Sequence, residues 1–306
     1  ASSEHRSSSG MHYTSVENIM KVIKPLFLDE LTSKFQTIVD KINENEDKDT
    51  TERTKRENRT AYQNELTTLH ERLSNIKFFD PACGSGNFLI ITYKELRRLE
   101  IQILKTLRHL KNDHSINIFE ESKISLHQFY GIELDDFAHE VARLSLWIAE
   151  HQMNVETEKE ISIKQAFLPL RDAGNITQGN ALRLDWDRVV PHTPTDEIYL
   201  IGNPPYIGAV GKKGQSLEQK EDLRNSIFPI IAKKIDYIFG WFIKGSRFIK
   251  GKNASLSFVT TNSIFQGEQV AFFSANILEN LEISFAYPSF KWSNSAKGNA
   301  GVTVAI

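Results

Sequence analysis

Asn203-Pro204-Pro205-Tyr206 follows directly on the apolar run Tyr199 to Gly202. Two consecutive prolines end a strand and hold the chain in a stiff, extended turn. That turn displays an asparagine side-chain oxygen, the carbonyl of Pro204 and the ring of Tyr206 in fixed relation. A planar amine is a poor nucleophile because its lone pair is delocalised. Two fixed acceptors, each taking one N–H, favour a pyramidal nitrogen with its lone pair directed outward, which is electrostatic preorganisation of an amine for direct displacement. Read without this chemistry, Asn203 is a strand-end turn residue and Tyr206 an aromatic at the rim of a core.

A second cluster lies in "FFDPACGSGNFLIITYKELRRLE". Asp80 and Pro81 close a strand, Ala82 follows, and Gly84 and Gly86 remove side chains where backbone must approach a ligand. Asn87 can cap the helix that begins there. The dinucleotide fingerprint is not met, because Leu89 stands where a glycine or alanine is required. The turn therefore suits a ligand with an adenosine but no pyrophosphate, or is simply a tight turn. In "QFYGIELDDF", Glu133 stands at the carboxyl end of the next strand, where a carboxylate accepts from both ribose hydroxyls. Asp135 and Asp136 read as the cap and first turn of a helix. In "NITQGNALRLDW", Asn180 has both the donor and the acceptor to pair with an adenine, although a plain turn asparagine is the better reading of that word alone. Cys83, the single cysteine, excludes an internal disulfide framework and a cysteine-based zinc cluster, and inside a ligand turn it reads as a small packed residue.

Placing these turns requires alternating strands and helices. Strands are expected at 76–79, 128–132, 175–178, 197–201, 255–260, 281–286 and 302–306, with helices at 87–110, 135–151, 236–250 and 266–279. This alternation gives an α/β fold with a mainly parallel sheet covered on both faces, binding its ligand beyond the carboxyl ends of the strands. Upstream, apolar residues from Val16 to Ile42 recur at helical spacing, with a kink or break expected near Lys24 because of Pro25. The stretch "NENEDKDTTERTKRENRT" reads as a solvated linker or mobile insertion, followed by a short helix over 61–73. The chain divides into a polar tail (1–12), disordered or an expression remnant, a helical N-terminal extension with the charged linker (13–75), and a catalytic core (76–306).

The 306 residues are 40% apolar and carry a net charge of -2, so any nucleic-acid contact must be local. Lys212, Lys213, Lys220, Arg224, Lys233 and Lys234 form the best basic segment, a phosphate-touching loop or a solvated one. There is no membrane-spanning run and no signal peptide; a cytoplasmic location is expected.

"DPACGSGNF", "GIELD", "QGNAL" and "NPPY", in that order, resemble motifs I to IV of the S-adenosylmethionine-dependent amino-methylating DNA methyltransferases, and "HYTS" at 12–15 resembles the motif that precedes motif I in the γ arrangement. The words "IKPLFLDEL", "YKELRRLE" and "FKWSNSAKGNAGVTVAI" are most similar to the methyltransferase region of MmeI-like, type IIL restriction-modification enzymes. The resemblance runs from about Met11 to Ile306. It implies a Rossmann-like class I methyltransferase fold with a mainly parallel seven-stranded sheet flanked by helices, and S-adenosylmethionine as cofactor. Tyr13, Thr14 and Ser15 would help hold the methionine portion; Asp80, Pro81, Ala82, Gly84, Gly86 and Asn87 would surround it; Glu133 would take the ribose and Asn180 the adenine ring. Asn203, Pro204, Pro205 and Tyr206 would be the catalytic motif.

The implied reaction is methylation of N6 of an adenine in duplex DNA; asparagine in the first motif position is associated with adenine rather than cytosine. The base must leave the duplex at a cost of a few kcal/mol. Stacking on Tyr206 offsets part of this, with Phe290 as the second flanking aromatic and Trp292 as its rival. The implied partners are duplex DNA, a target-recognition domain that would follow this segment, and a nuclease domain that would precede it. Two alternatives stay open: a protein or RNA amino-group methyltransferase with the same chemistry, or a catalytically silent DNA-binding scaffold module.

Overall fold

The computed structural model describes residues 14–47, 51–111, 122–161, 174–209, 214–232, 234–279, 281–292 and 302–306. Five parallel strands, β1 (Lys77–Asp80), β2 (Phe129–Glu133), β3 (Asn175–Gln178), β4 (Ile198–Gly202) and β5 (Ala254–Phe258), form a sheet in the order β3-β2-β1-β4-β5. The order reverses between β1 and β4, so the turns leaving these two strands diverge and open a crevice at the switch point. β4 is buried throughout and β1 at Phe78, Phe79 and Asp80, the pattern of strands covered on both faces.

The two-residue period of a strand separates the two cores. Phe78, Tyr199 and Ile201 point to one face, packed by α1 (Val16–Ile23), α2 (Asp29–Asp47), α3 (Glu52–Asn75), α4 (Asn87–Lys111) and α5 (Asp136–Ile161). Phe79, Leu200 and Phe258 point to the other, packed by α6 (Trp186–Val189), α7 (Leu217–Ile227), α8 (Phe239–Ile249) and α9 (Glu268–Asn276). Phe78 contacts Phe27 and Phe129 at ring-centroid distances of 5.0 and 5.2 Å, so the upstream helices share the core of the sheet. Arg72 of α3 closes the same face, bonding Glu197 beside β4 and Glu30 of α2.

Three expectations are corrected and one, at Pro25, is refined. The charged stretch read as a linker is helical on both sides of 48–50: α2 runs to Asp47, and α3, capped by Thr51, begins at Glu52 and takes in the expected short helix. Its buried stripe of Leu66, Leu69 and Leu73, together with cross-helix bonds such as Lys41 to Glu65, stabilises what composition alone reads as solvated. Near Lys24, the place of the expected kink or break, α1 does stop at Ile23, but the chain passes on to α2 through a π-helical turn, Lys24–Leu28, which accommodates the missing proline N–H. Residues 281–286 form no strand; they are largely exposed, and backbone pairing resumes only where Tyr287 exchanges bonds with Ile306. Instead of one seven-stranded sheet, the described residues form the five-stranded sheet and, apart from it, an antiparallel sheet β6-β8-β7 made by β6 (Thr260–Thr261), β7 (Phe290–Trp292) and β8 (Val302–Ala305). The division falls at Val259, whose N–H bonds Gly202 O before Thr260 and Thr261 pair with β8.

Candidate functional site

The glycine turn after β1 depends on two residues in the left-handed region, Gly84 at φ 55° and Gly86 at φ 85°. A Cβ on Gly86 would lie 3.4 Å from Ala142 Cβ of α5, so the turn packs closely on that helix; one on Gly84 would meet nothing within 4 Å. Gly86 O accepts from Ile90 N, which makes Gly86 the cap, one position earlier than expected, and Asn87 the first helical residue. Trp241 of α8 donates its indole N–H to Pro81 O and holds the turn from the opposite face.

Glu133 joins the turns after β1 and β2. Its Oε2 accepts the Gly84 N–H at 2.8 Å and its Oε1 the Asp135 N–H at 2.8 Å, while its backbone oxygen accepts from Gly179 N and draws in the turn after β3. Burial raises its carboxyl above the usual range. Asp135 caps α5 through Ala138 N, as its position suggests. Asn180 is engaged at both ends of its amide, with Oδ1 accepting from Leu182 N and Nδ2 donating to the buried Asp222, and it also bonds the Tyr237 hydroxyl; a lone pair on Oδ1 remains to it. Cys83 is buried against Gly131, where an added Cβ would sit 2.9 Å from its sulfur, and burial pushes its thiol well up, consistent with a packing role.

Asn203 to Tyr206 leave β4 beside Asp80. Asn203 Oδ1 and the Tyr206 hydroxyl are buried, and neither has a hydrogen-bond partner among the described residues. Burial pushes the Tyr206 phenol up to about 12. The exit of the turn is clamped at Ile207, whose N–H donates to Asp236 Oδ1 at 3.0 Å and whose carbonyl accepts from Gln215 Nε2 and Tyr237 N, both at 3.0 Å.

Thr14 is buried, and Ser15 caps α1 by accepting from Asn18 N. Phe290 packs against the core that contains α1, with Lys21 Nζ 4.8 Å from its ring centroid, whereas Tyr206 packs against the opposite core. Tyr13 and the side chain of Trp292 lie outside the described residues. Sequence reasoning missed Gly202, Gln215, Asp236 and Trp241. Gly202 had a visible signal as a glycine at a strand end; the others reach the site through long-range bonds that no local pattern announces.

The arrangement suits a ligand that brings hydroxyl and amine donors. Each Glu133 oxygen retains acceptor capacity, the space over Gly84 is open, and Asn203 Oδ1 waits for a donor. Among the described residues no group of His, Cys, Asp and Glu could hold a metal ion, and no helix is long and apolar enough to cross a membrane.

Asp80 gives the site a pH signature. It is 1% exposed, accepts the Ala82 N–H, and burial pushes its carboxyl from 3.8 up to about 8. The folded protein therefore holds this proton more tightly than the unfolded chain, so stability falls as pH rises from about 4 to about 8, where the penalty is complete. Asp80→Asn, which stays neutral, is expected to flatten that fall and to melt above the wild type at about pH 8 but not at about pH 4. Melting curves that run parallel for the two proteins across this range would rule out the buried acid.

A profile of the family described as "MmeI, DNA-methyltransferase domain" matches residues 52–306. The chain is 49% identical over 310 residues to DNA methyltransferase A of Bacillus subtilis (strain 168), an alignment that covers 100% of this chain and 32% of that protein. It superposes with a TM-score of 0.83 and 36% identity on the Type IIL restriction-modification enzyme MmeI in complex with DNA, covering 100% of this chain and 38% of the other. The chain thus spans about a third of the length of these two proteins. With the Asn203-Pro204-Pro205-Tyr206 turn at the switch point of a parallel sheet, beside a glycine turn held by Glu133, the chain belongs to the MmeI DNA-methyltransferase domain family.

Proposed function

We propose that the chain transfers a methyl group from S-adenosylmethionine to N6 of an adenine flipped out of duplex DNA. The observation that carries this reading is the buried Asn203 Oδ1, an acceptor with no donor among the described residues, one residue beyond β4. Asp80, the 82–86 turn and Glu133 would hold the cofactor, with Asn180 at the adenine through the capacity left to its amide. When bound, S-adenosylmethionine supplies a methyl group made electrophilic by its sulfonium. Asn203 Oδ1 and the Pro204 carbonyl each accept one N–H of the target amine and favour the pyramidal geometry in which its lone pair is available. Tyr206 stacks on the extruded base, with Phe290 as the candidate second aromatic; such stacking contributes about 1–3 kcal/mol per base. The preference for adenine over cytosine rests on family association. In a longer protein, a target-recognition domain would choose the sequence and a nuclease domain would cut.

Incubating the chain with duplex DNA and methyl-labelled cofactor is expected to produce N6-methyladenine, detected by nucleoside mass spectrometry. RNA and peptide acceptors run in parallel separate this reading from other amine methylations: label on RNA or peptide but not on DNA would overturn it.

A further inference from the structure

The chain leaves the catalytic turn after Tyr206 and is brought back to it. Gln215 Nε2 donates to Ile207 O at 3.0 Å and to Ile235 O at 2.8 Å, and Asp236 Oδ1 accepts the Ile207 N–H. Gln215 and Asp236 are both buried, so the two ends of the 215–236 excursion are fastened at the residue next to Tyr206. The excursion itself is braced. Ser216 and Gln219 form a capping box at the start of α7, and at its other end Arg247 of α8 donates to the carbonyls of Ser226, Ile227 and Phe228 at 2.8, 2.9 and 3.0 Å.

This braced arm turns apolar side chains outward. Leu217 is 86% exposed, Phe228 75% and Ile231 92%. Leu217, Lys220 and Arg224 recur at three- and four-residue steps along one face of α7, and Phe228 continues the line at its C-cap. Lys220 and Arg224 are exposed and form no ion pair among the described residues. Lys234, also exposed, is held at φ 62°, a left-handed conformation uncommon outside glycine. Two acids of α7 are turned aside, Glu218 and Asp222, which bond Arg183, each at 2.6 Å, whereas the exposed Glu221 lies four residues from Leu217 and three from Arg224 on this same face, and lines a cavity of about 550 Å³ with Arg183 and Asp222. The outward face is therefore apolar, with Lys220, Arg224 and Lys234 outnumbering Glu221. A protein partner would have to desolvate the lysines, a residue type depleted at such interfaces, whereas a nucleic acid offers phosphates for the cations and sugar and base edges for the apolar groups.

We propose that the 215–236 arm is a duplex-DNA contact beside the catalytic turn, with Phe228 and Ile231 packed on sugars and base edges and with Lys220, Arg224 and Lys234 on flanking phosphates. The proposal rests on the DNA reading above. Because the arm is fastened at Ile207, DNA that seats on it also fixes the Tyr206 turn relative to the duplex.

The test measures duplex affinity of the 306-residue chain by fluorescence anisotropy over a salt series, together with the KM for DNA in methyl transfer. The exposed double variant Phe228→Ser with Ile231→Ser is expected to bind duplex about tenfold more weakly and to raise KM for DNA, with cofactor affinity and melting temperature unchanged. Arg224→Gln is expected to reduce the slope of log affinity against log salt by about one. If wild type binds and methylates DNA and the variants match it in affinity, salt slope and KM, the arm is not a DNA contact; that is the result expected if another part of a longer protein covers this face. If wild type neither binds nor methylates duplex DNA, the DNA reading falls and the arm falls with it.

Discussion

Asn203→Ala is expected to lower the rate of methyl transfer about 10²–10³-fold, the range typical for losing one preorganised hydrogen-bond group that acts on the reacting centre. Affinity for S-adenosylmethionine should stay close to that of wild type. The separation follows from where the side chain's acceptor sits. Asn203 Oδ1 is buried with no protein donor among the described residues, so removing it strips no bond from the fold, and the glycine turn is held by Glu133 and Trp241 rather than by Asn203. What is lost is an acceptor whose bond to the amine strengthens as the nitrogen becomes pyramidal, and an interaction made mainly in the transition state appears in the chemical step rather than in ground-state binding. Single-turnover methyl transfer and equilibrium cofactor binding, measured on the same preparation, test this. Loss of both would mean that Asn203 shapes the cofactor site; loss of neither would remove it from the chemistry.

The parts of this site that were legible in the sequence are those encoded by adjacent residues. "DPACGSGN", "GIELDD" and "NPPY" each place a turn immediately after an apolar run, and the structure puts all three turns at carboxyl ends of β1, β2 and β4. Asn175–Gln178 was readable as a strand for the same reason: a short run between turn residues. Long-range pairing was not readable. The segment at 281–286 has a strand-like composition, but strands need partners, and the sheet next to it is built by β8 with β6 and β7. The charged stretch around 43–60 misled in the opposite sense: most of its polar residues face water, but Asn45 is buried and bonds Lys55 O and Asn58 across the two helices, and the apolar stripe of α3 begins beyond the stretch, at Leu66. Pro25 marked an interruption near Lys24, a kink or a break, but not its form, because a π-helical turn leaves no trace in spacing. Gln215 and Asp236 escaped notice because what they hold, the backbone of Ile207, is distant in sequence and chemically anonymous.

Gly202→Ala should do more damage than its single methyl group suggests, and of a different kind from Asn203→Ala. Gly202 sits at φ 152°, outside the range that L side chains ordinarily adopt, and a Cβ there would lie 2.5 Å from Asp80 Oδ1 and 3.0 Å from Asp80 Cγ. Neither neighbour has slack. Gly202 O is bonded to Val259 N at 2.9 Å in the middle of the sheet, and Asp80 is enclosed and tied to Ala82 N at 3.0 Å. Backbone strain of about 1–3 kcal/mol and overpacking of about 1–3 kcal/mol together predict a destabilisation of about 2–6 kcal/mol. Whichever side yields, the site changes: moving Asp80 shifts the glycine turn, and moving Gly202 shifts Asn203. The expected result is a lower melting temperature with loss of cofactor binding and of methyl transfer together. Pairing the substitution with Asp80→Ala removes the atoms the new methyl group strikes, so the double variant should melt above Gly202→Ala alone even though it still cannot bind cofactor normally. A Gly202→Ala protein with wild-type melting and cofactor affinity would show that Asp80 and the strand end are free to separate, and the close apposition of the two turns would then carry no weight in the reaction.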